Sequence, residues 1–341
     1  MADAPSSEPE LLDAVRRGDE DAFGRLIEPH RSELHAHCYR MLASPFDAED
    51  ALQETLLRAW RALPRFRGHE LLRPWLYRIA TNVCLDALAR RGKRGLPVDQ
   101  SAPAKPDEEP GAPLPESVWV LPYPDDVIGL QDGYASPEAR YEQREAVELA
   151  FVAAIQHLTP AQRAVLLLRD VLGFSAKEAA GTLDTTVASV NSALQRARRT
   201  VDERVPTRTQ QATLRALGDE RVRSIVEGYI DAWERGDVMA LVTMLAEDAT
   251  LSMPPYRTWW RGGDVIAAFA SKPVHRYIPL RANGQAANAA YRWNVRSDSY
   301  EAEALEVLTM EDTRVKAMTA FMMPEVFPLF GLPNELPREP S

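Results

Sequence analysis

The sequence is poor in cysteine and has no long apolar run, and each shortage excludes a class of protein. Among its 341 residues only Cys38 and Cys84 are cysteines, too few for a disulfide-built scaffold. Both lie in apolar helical stretches, so we expect two reduced, buried thiols. No apolar run approaches the roughly 20 residues that a membrane-spanning helix needs. The acidic, polar residues 1–10 do not resemble a secretory signal, so we expect a cytoplasmic protein.

An excess of positive charge is also missing, which argues against a protein that coats nucleic acid with its whole surface. The formal net charge is −10 at pH 7. Local charge matters more than the total for DNA binding, and one stretch departs from the acidic average. Residues 73–94 hold six basic residues and a single acid, Asp86. The composition therefore leaves a local contact with nucleic acid open.

Helical and proline-rich stretches divide the chain, whose length suits two or three domains. Helical periodicity runs through residues 10–95 and returns over 137–204. The stretch between them, 96–136, is a predicted acidic linker, since 97–124 hold eight prolines and cannot bury enough surface to fold alone. An apolar stretch within it, at 118–123, is able to dock as a short motif.

The last third of the chain changes from a helical pattern to strand patterns. Apolar residues from Val222 to Trp233 recur at helical spacing, and Gly236 suits the end of that helix. Apolar and polar residues then alternate in three stretches, as in half-buried strands. These stretches are 287–295, 303–311 and 314–323. A helix followed by several strands predicts a separate α+β domain over 214–332.

The sharpest motif is a predicted helix-turn-helix in residues 159–204. Thr159 and Ser175 each begin a helix with a capping box, and a third helix is expected from about Thr186. The inward stripe of the third helix is Val187, Val190, Leu194, Ala197 and Val201. Its outward side chains are Ser189, Ser192, Gln195, Arg196 and Arg199. Such side chains can reach base edges and phosphates in a major groove, although they also suit an ordinary exposed helix face.

A helix predicted over 47–63 has an acidic outer face. Its apolar stripe is Ala48, Ala51, Leu52, Thr55, Leu56, Ala59, Trp60 and Leu63. Its outer face carries Asp47, Asp50, Glu54, Arg58 and Arg61. This face is either a docking surface for a basic partner or a solvated face with a Glu54–Arg58 pair.

Aromatic and basic side chains alternate in the stretch that follows. Gly68 and Pro74 bracket a predicted loop, and a helix is expected to start near Trp75. Trp75 and Tyr77 lie beside Arg78 and Asn82, ahead of a basic cluster. Aromatic rings next to cations can hold unstacked bases and their backbone, but the same rings also suit a plain core.

The order of these motifs resembles the sigma-70 family of RNA polymerase factors. The segments that carry the resemblance are DAEDALQETLLRAW, RFRG, PWLYRIATNVCLDAL and LTPAQRAVLLLRDVLGFSAKEAAGTLDTTVASVNSALQRARR. Two such blocks joined by a linker are typical of the extracytoplasmic-function (ECF) group, and 219–330 resembles the NTF2-like (SnoaL-like) fold. The implied architecture is multidomain, with an all-α region 2, an all-α helix-turn-helix region 4 and an α+β NTF2-like cone.

The resemblance implies partners and a contact surface for each block. The partners are promoter DNA and core RNA polymerase, through its β′ clamp helices and β flap. Residues implied to bind the polymerase are Asp47, Asp50, Glu54 and Arg58. Residues implied to bind the −10 element are Arg67, His69, Arg73, Trp75, Tyr77, Arg78 and Asn82. Residues implied to bind the −35 element are Ser189, Asn191, Ser192, Gln195, Arg196 and Arg199. Pro74, the His69-Glu70 pair and Asn191 depart from the usual pattern, which leaves the base preference open.

The resemblance also implies roles for the linker and the last domain. Linkers of this family thread polymerase channels, where an acidic chain can mimic nucleic acid; a plain solvated spacer is the alternative. The last domain is expected to regulate the factor through a small ligand or an intramolecular contact. Candidate pocket residues, each of which also suits ordinary core, are Tyr229, Trp233, Met253, Trp259, Tyr291 and Trp293. The sequence leaves open whether an anti-sigma partner exists.

Catalysis and metal binding find little support in the sequence. Asp231, Asp264 and His275 are the ionisable groups that an NTF2-like enzyme could use, but no spacing brings two of them together. The pair His35 and His37 falls on different helix faces. We therefore expect no enzyme activity, no cofactor and no metal.

Two other functions remain open from the sequence alone. A ligand-responsive helix-turn-helix repressor or activator would bind duplex DNA without polymerase, but it leaves the acidic helix and residues 65–94 without a role. An NTF2-like enzyme with a DNA-binding arm would turn over a substrate.

Overall fold

The computed structural model describes residues 7–66, 71–128, 145–206, 208–271 and 275–338. Their contacts divide the chain into two compact units. The first contains the described residues of 7–92, 126–128 and 154–204, and the second those of 93–125, 145–153 and 205–338. No helix in the described ranges is long and apolar enough to cross a membrane.

The first unit is built from helices. In chain order the helices of this part of the chain are α1 (Glu8–Arg16), α2 (Glu20–Leu42), α3 (Pro45–Ala62), α4 (Leu72–Leu88), α5 (Leu149–Ile155), α6 (Pro160–Leu166), α7 (Ala176–Thr182) and α8 (Val187–Asp202). Helix α5 includes residues of both units, and a π-helical turn, Leu167–Val171, continues α6. Cys38 and Cys84 are free and buried, as the sequence predicts.

Local sequence sets the starts of the helices around the predicted helix-turn-helix. Thr159 and Ser175 form the predicted capping boxes with Gln162 and Glu178. Thr186 caps α8 by accepting a hydrogen bond from a backbone N–H of its first turn. Each cap satisfies N–H groups that have no partner within the helix, so the predicted order of three helices is confirmed.

Two local predictions are wrong in detail. Helix α4 begins at Leu72, so Pro74 lies in its first turn and not in the preceding loop. Proline is tolerated there because the first N–H groups of a helix need no intrahelical acceptor. In α8 the buried stripe starts at Val190, while Val187 is 43% exposed, since it is the first residue of the helix and precedes the packed turn.

Helices of the two predicted helical blocks pack together within the first unit. Tyr77 of α4 meets Phe174 edge-on, with ring centroids 5.5 Å apart, and both side chains are buried. Arg163 of α6 is also buried, and its guanidinium donates to the carbonyl of Met41 in α2 and to that of Ile155, 3.0 Å away. Aromatic packing and a buried cation therefore join the two blocks.

The second unit is an α+β domain around a mixed sheet. Its helices are α9 (Gln210–Leu217), α10 (Asp219–Glu234), α11 (Val238–Met244) and α12 (Gly263–Ala267). Its strands are β1 (Leu245–Ser252), β2 (Trp259–Arg261), β3 (His275–Ala282), β4 (Gln285–Asn294), β5 (Ser299–Glu311), β6 (Arg314–Phe321) and β7 (Glu335–Pro337). The strand order is β2-β1-β6-β5-β4-β3, and β7 pairs with β5. Among the pairs that these seven strands form, β1–β6 is parallel and the others are antiparallel.

A buried apolar cluster joins α10 to the strands. Ile225, Val226 and Tyr229 of the predicted helix face are buried in it. The strands contribute small residues, among them Ala286 and Ala304, as well as large ones such as Leu308 and Met318. Small strand residues leave room for the large rings of the helix, which fixes the packing of α10 on this face.

Residues 96–125 of the predicted linker belong to the second unit, although their composition cannot support an independent fold. Trp119 and Tyr123, from the apolar stretch at 118–123, are fully buried. Arg94 donates to the carbonyl of Trp119 over 2.7 Å, and the Trp259 indole donates to the carbonyl of Ser101 over 2.9 Å. The proline-rich chain is thus ordered by contacts with the α+β domain.

Candidate nucleic-acid interface

The acidic face of α3 is exposed at its centre. The Ser44 hydroxyl caps the helix, and Asp50, six residues further on, is exposed. The Arg58 guanidinium bridges two acids, Glu54 over 2.6 Å and Asp86 over 3.1 Å. These bonds raise the pKa of Arg58. The face therefore combines an exposed carboxylate with a partly neutralised cluster.

Asp47, at the start of the same face, is less accessible. Its carboxylate pairs with Arg91, and the Asp47 side chain keeps 12% of its surface exposed. Arg91 comes from the basic cluster that follows α4. A partner that approaches the acidic face can therefore exchange this internal pair for an external one.

The predicted −10 residues lie in two environments. Trp75 packs against Phe66, with centroids 5.0 Å apart, and both Trp75 and Tyr77 are buried. Arg73 lies over the Tyr77 ring at 5.0 Å and pairs with Glu33. Arg78 is half-buried and Asn82 exposed, whereas Arg67 and His69 lie outside the described residues. In this conformation the two rings support the helix and are not free to stack on bases.

A buried histidine lies beside this aromatic group. The His37 ring meets Tyr77 edge-on at 5.2 Å, and its Nε2 lies 3.0 Å from the Thr81 hydroxyl. Burial lowers the pKa of His37 to about 3, so the ring is neutral at physiological pH. Its hydrogen-bond partner is the hydroxyl of Thr81 in α4.

The predicted −35 residues form a continuous exposed surface on α8. All six are exposed, namely Ser189, Asn191, Ser192, Gln195, Arg196 and Arg199. Asn191, Gln195 and Arg199 also line a surface depression whose rim includes Arg198. Arg198 differs from its neighbours because Asp170 binds its guanidinium at two points, 2.7 and 2.9 Å away.

This difference between neighbouring arginines supports a prediction. Arg196→Ala combined with Arg199→Ala is expected to weaken promoter binding roughly tenfold at about 0.2 M salt, because phosphate contacts release counterions. The log–log salt slope of binding should become shallower by about 1 to 2. Arg198→Ala combined with Asp170→Ala is the control, since it removes a bonded pair without changing the net charge. The measurement is a salt titration of promoter binding by chain and core polymerase; an effect of the control as large as that of the double arginine variant would contradict the assignment.

The six candidate pocket residues do not meet at one place. Tyr229, Trp233 and Met253 belong to the cluster under α10. The other three have partners elsewhere. Tyr291 packs on Phe327, Trp293 packs on Tyr300, and Trp259 binds the linker.

The cluster contains an acid that the sequence analysis missed. Glu306 is buried within β5, and its Oε2 lies 3.4 Å from the Tyr229 hydroxyl. Burial raises the pKa of Glu306 to about 7, against a smaller lowering by His275 and the Tyr229 hydrogen bond. The alternation in 303–311 carried no signal for it, because residues 304–308 are buried whichever face of the strand they lie on.

The raised pKa of Glu306 predicts a pH dependence of stability. The folded state holds the proton that the unfolded chain releases near pH 4.5, so stability falls as pH rises from about 4.5 to 7. Glu306→Gln is expected to stabilise the second unit by about 3 kcal/mol above pH 7 and by little below pH 5. Urea unfolding from pH 5 to 8 measures this, with Glu311→Gln, at an exposed position of the same strand, as control. A gain that does not change with pH would contradict the prediction.

The three ionisable groups considered for catalysis have separate surroundings. The exposed Asp231 pairs with Arg235 over 2.7 Å, and Asp264 is exposed. His275 lies 2.5 Å from Glu303. The structure therefore brings no two of Asp231, Asp264 and His275 together.

Three family models match successive parts of the chain. Sigma-70 region 2 matches residues 26–94, Sigma-70, region 4 matches 148–201, and the SnoaL-like domain matches 226–318. Both exposed surfaces described above, on α3 and α8, fall within the first two matches.

Similar proteins cover most of the chain. The ECF RNA polymerase sigma factor SigG of Mycobacterium tuberculosis is 42% identical over 331 residues, which are 94% of this chain and 86% of that protein. The ECF RNA polymerase sigma-E factor of Salmonella typhimurium is 30% identical over 195 residues, covering 57% of this chain and 92% of that protein. The crystal structure of the extracytoplasmic function sigma factor SigJ of Mycobacterium tuberculosis matches with a TM-score of 0.56 at 21% identity, covering 89% of this chain and 97% of the other.

Proposed function

This chain belongs to the extracytoplasmic-function group of sigma-70 factors and carries a SnoaL-like extension, and we propose on that basis how its residues share the work of transcription initiation. A sigma factor binds core RNA polymerase, directs it to promoters and promotes their melting. Core polymerase and promoter DNA are therefore the partners of this chain. The observation that carries the assignment is 42% identity over 94% of the chain to a sigma factor. A repressor that works without polymerase is not favoured, because both helical blocks match sigma regions.

Helix α3 is the proposed docking surface for the β′ clamp helices. Asp50 is exposed at its centre, and Asp47, Glu54 and Arg58 flank it with pairs that a basic partner can replace. Charge complementarity of this kind raises association rates and excludes like-charged partners. Region 4 is the proposed partner of the β flap.

Helix α4 is the proposed −10 reader, and α8 the proposed −35 reader. Asn82 and Arg78 are the accessible members of the −10 set, while Trp75 and Tyr77 must leave the core before a base can stack on them. Flipping a base costs a few kcal/mol, which stacking on a freed ring would offset. Arg67 and His69 remain candidates from the sequence.

The second unit is the proposed regulatory part, without catalysis and without a bound cofactor. SnoaL-like domains occur in enzymes as well as in sigma factors, but the candidate acids and bases here are separated. The proposed location is the cytoplasm, because a factor that binds core polymerase must be in the same compartment as the polymerase.

One experiment tests this function as a whole. Purified chain is mixed with bacterial core polymerase, co-elution is measured, and the mixture transcribes a library of genomic promoter fragments. We expect co-elution and transcripts that share a −35/−10 pattern. Binding of duplex DNA by the chain alone, with no association with core polymerase, would overturn the assignment and favour a repressor.

A further inference from the structure

The turn between β3 and β4 is a two-residue hairpin that is buried, which is unusual for such a turn. Asn283 and Gly284 have φ of +56° and +70°, as the tight primed turns require. Hairpin turns normally face solvent, yet Asn283 is fully buried. The residues that cover it come from three distant parts of the chain.

The first covering segment is the end of the linker. The amide of Tyr123 donates to Asn283 Oδ1 over 2.9 Å, and the amide of Asn283 donates back to the carbonyl of Tyr123 over 2.8 Å. The amide of Gly284 donates to Asp125 over 2.7 Å, and Arg281 pairs with the same carboxylate. The turn therefore extends its hydrogen bonding onto the linker as a strand would.

The second segment is the chain just before α5. The Asn283 side-chain amide donates to the carbonyl of Val147 over 2.8 Å. Gln285 accepts from the amide of Leu149 over 2.9 Å, and both Val147 and Leu149 are buried. One asparagine side chain thus binds the linker through its oxygen and the start of region 4 through its nitrogen.

The third segment is the first turn of α9, the helix that follows α8. Gln211 donates to the carbonyl of Gly284 over 2.6 Å. The buried Glu148 accepts from the amides of Gln210 and Gln211 over 3.1 and 2.7 Å. The chain entering region 4 and the chain leaving it are therefore tied to each other and to the same turn.

The distance between the two promoter elements can be compared with the reach of the chain while these three segments are bound to the turn. The −10 and −35 elements lie about 25 base pairs apart, roughly 85 Å at about 3.4 Å per base pair. A compact unit of roughly 150 residues is only about 40 Å across, and the first unit holds α4 and α8 together. The chain between Leu88 and Leu149 is long enough to span 85 Å when extended, but not while 93–125 and 145–149 are held in the second unit.

We propose that the β3–β4 turn, Asn283 to Gln285, is a latch that holds the linker and both flanks of region 4, and that this latch must open before the two promoter elements can be bound together. The inference rests on the proposed function of regions 2 and 4. Asn283 is a positioning residue of this latch, because its contacts are with other residues of the same chain, Tyr123 and Val147. The free chain is accordingly the closed form of the factor.

Asn283→Gly tests the contacts, since glycine keeps the positive φ and removes only the amide. Hydrogen–deuterium exchange of the free chain is expected to become at least tenfold faster at 119–125, 147–149 and 209–211. Asp298→Gly is the matched control, because Asp298 also has positive φ but is exposed in the β4–β5 hairpin. Unchanged exchange in the three segments, or equal changes in both variants, would overturn the latch.

A reversible lock tests whether the latch has to open. Pro124 and Ala282 face each other in an antiparallel bridge, a spacing that suits a disulfide. Pro124→Cys with Ala282→Cys, oxidised before core polymerase is added, is expected to lower promoter-directed transcription at least tenfold, with recovery on reduction. Each single cysteine variant, oxidised in the same way, is the control.

The outcomes separate the two proposals. Full transcription by the oxidised double variant would overturn the latch while leaving the sigma function intact. Failure of the wild-type chain to bind core polymerase would overturn the sigma function, and the exchange experiment would still report on the contacts of the turn.

Discussion

Asp50→Lys combined with Glu54→Lys is expected to abolish co-elution of the chain with core RNA polymerase. The two substitutions replace two negative charges on the outer face of α3 with two positive ones. Like charges across an interface cost several kcal/mol, and about 3 kcal/mol already corresponds to a loss of binding of about a hundredfold. Promoter-directed transcription should fall by at least the same factor, because it depends on the same association.

A matched charge reversal elsewhere separates docking from net charge. Glu220→Lys with Glu227→Lys changes the net charge by the same amount at exposed positions of α10. That control is expected to keep co-elution within about twofold. Circular dichroism checks that both variants fold, which is expected because Asp50 is exposed and Glu54 is 43% exposed. Retained binding by the α3 variant, or equal loss in the control, would exclude α3 as the docking surface.

The helical part of the fold could be predicted because its signals are local. The capping boxes at Thr159 and Ser175 and the stripe from Ala48 to Leu63 depend only on neighbouring residues. The exposed face of α8 follows from the same periodicity. The α+β pattern of the last third was also legible, since strand alternation is local as well. The prediction of half-buried strands was wrong, because residues 285–291 of β4 and 304–308 of β5 are buried on both faces.

The remaining features depend on contacts between residues far apart in sequence. The hydrogen bonds of Asn283 reach 160 residues back to Tyr123, and no local pattern distinguishes such a turn from an exposed hairpin. Composition predicts that the linker cannot fold alone, which is compatible with its being ordered by another part of the chain. The burial of Tyr77 depends on Phe174, which lies in the other helical block. Sequence reasoning thus found the exposed surfaces and missed what covers the buried ones.

Arg163→Met is expected to destabilise the first unit by about 3 kcal/mol, more than any loss of a surface ion pair. The guanidinium is buried and donates to the carbonyls of Met41, Ile155 and Gln156. Burial lowers the pKa of Arg163 to about 10, so it stays charged at pH 7. Methionine fills the volume but leaves those acceptors without a donor, at about 1–3 kcal/mol for each group.

The readout has to resolve the two units, because they need not unfold together. Hydrogen exchange of α2 and α6 amides in the native chain reports on the first unit alone. We expect roughly a hundredfold faster exchange there and little change in β4 and β5. Arg198→Met is the control, since its exposed pair with Asp170 contributes at most about 1 kcal/mol. If the two variants exchanged alike, the carbonyls around Arg163 would have found other donors, and the cation would not be what joins regions 2 and 4 in the closed form.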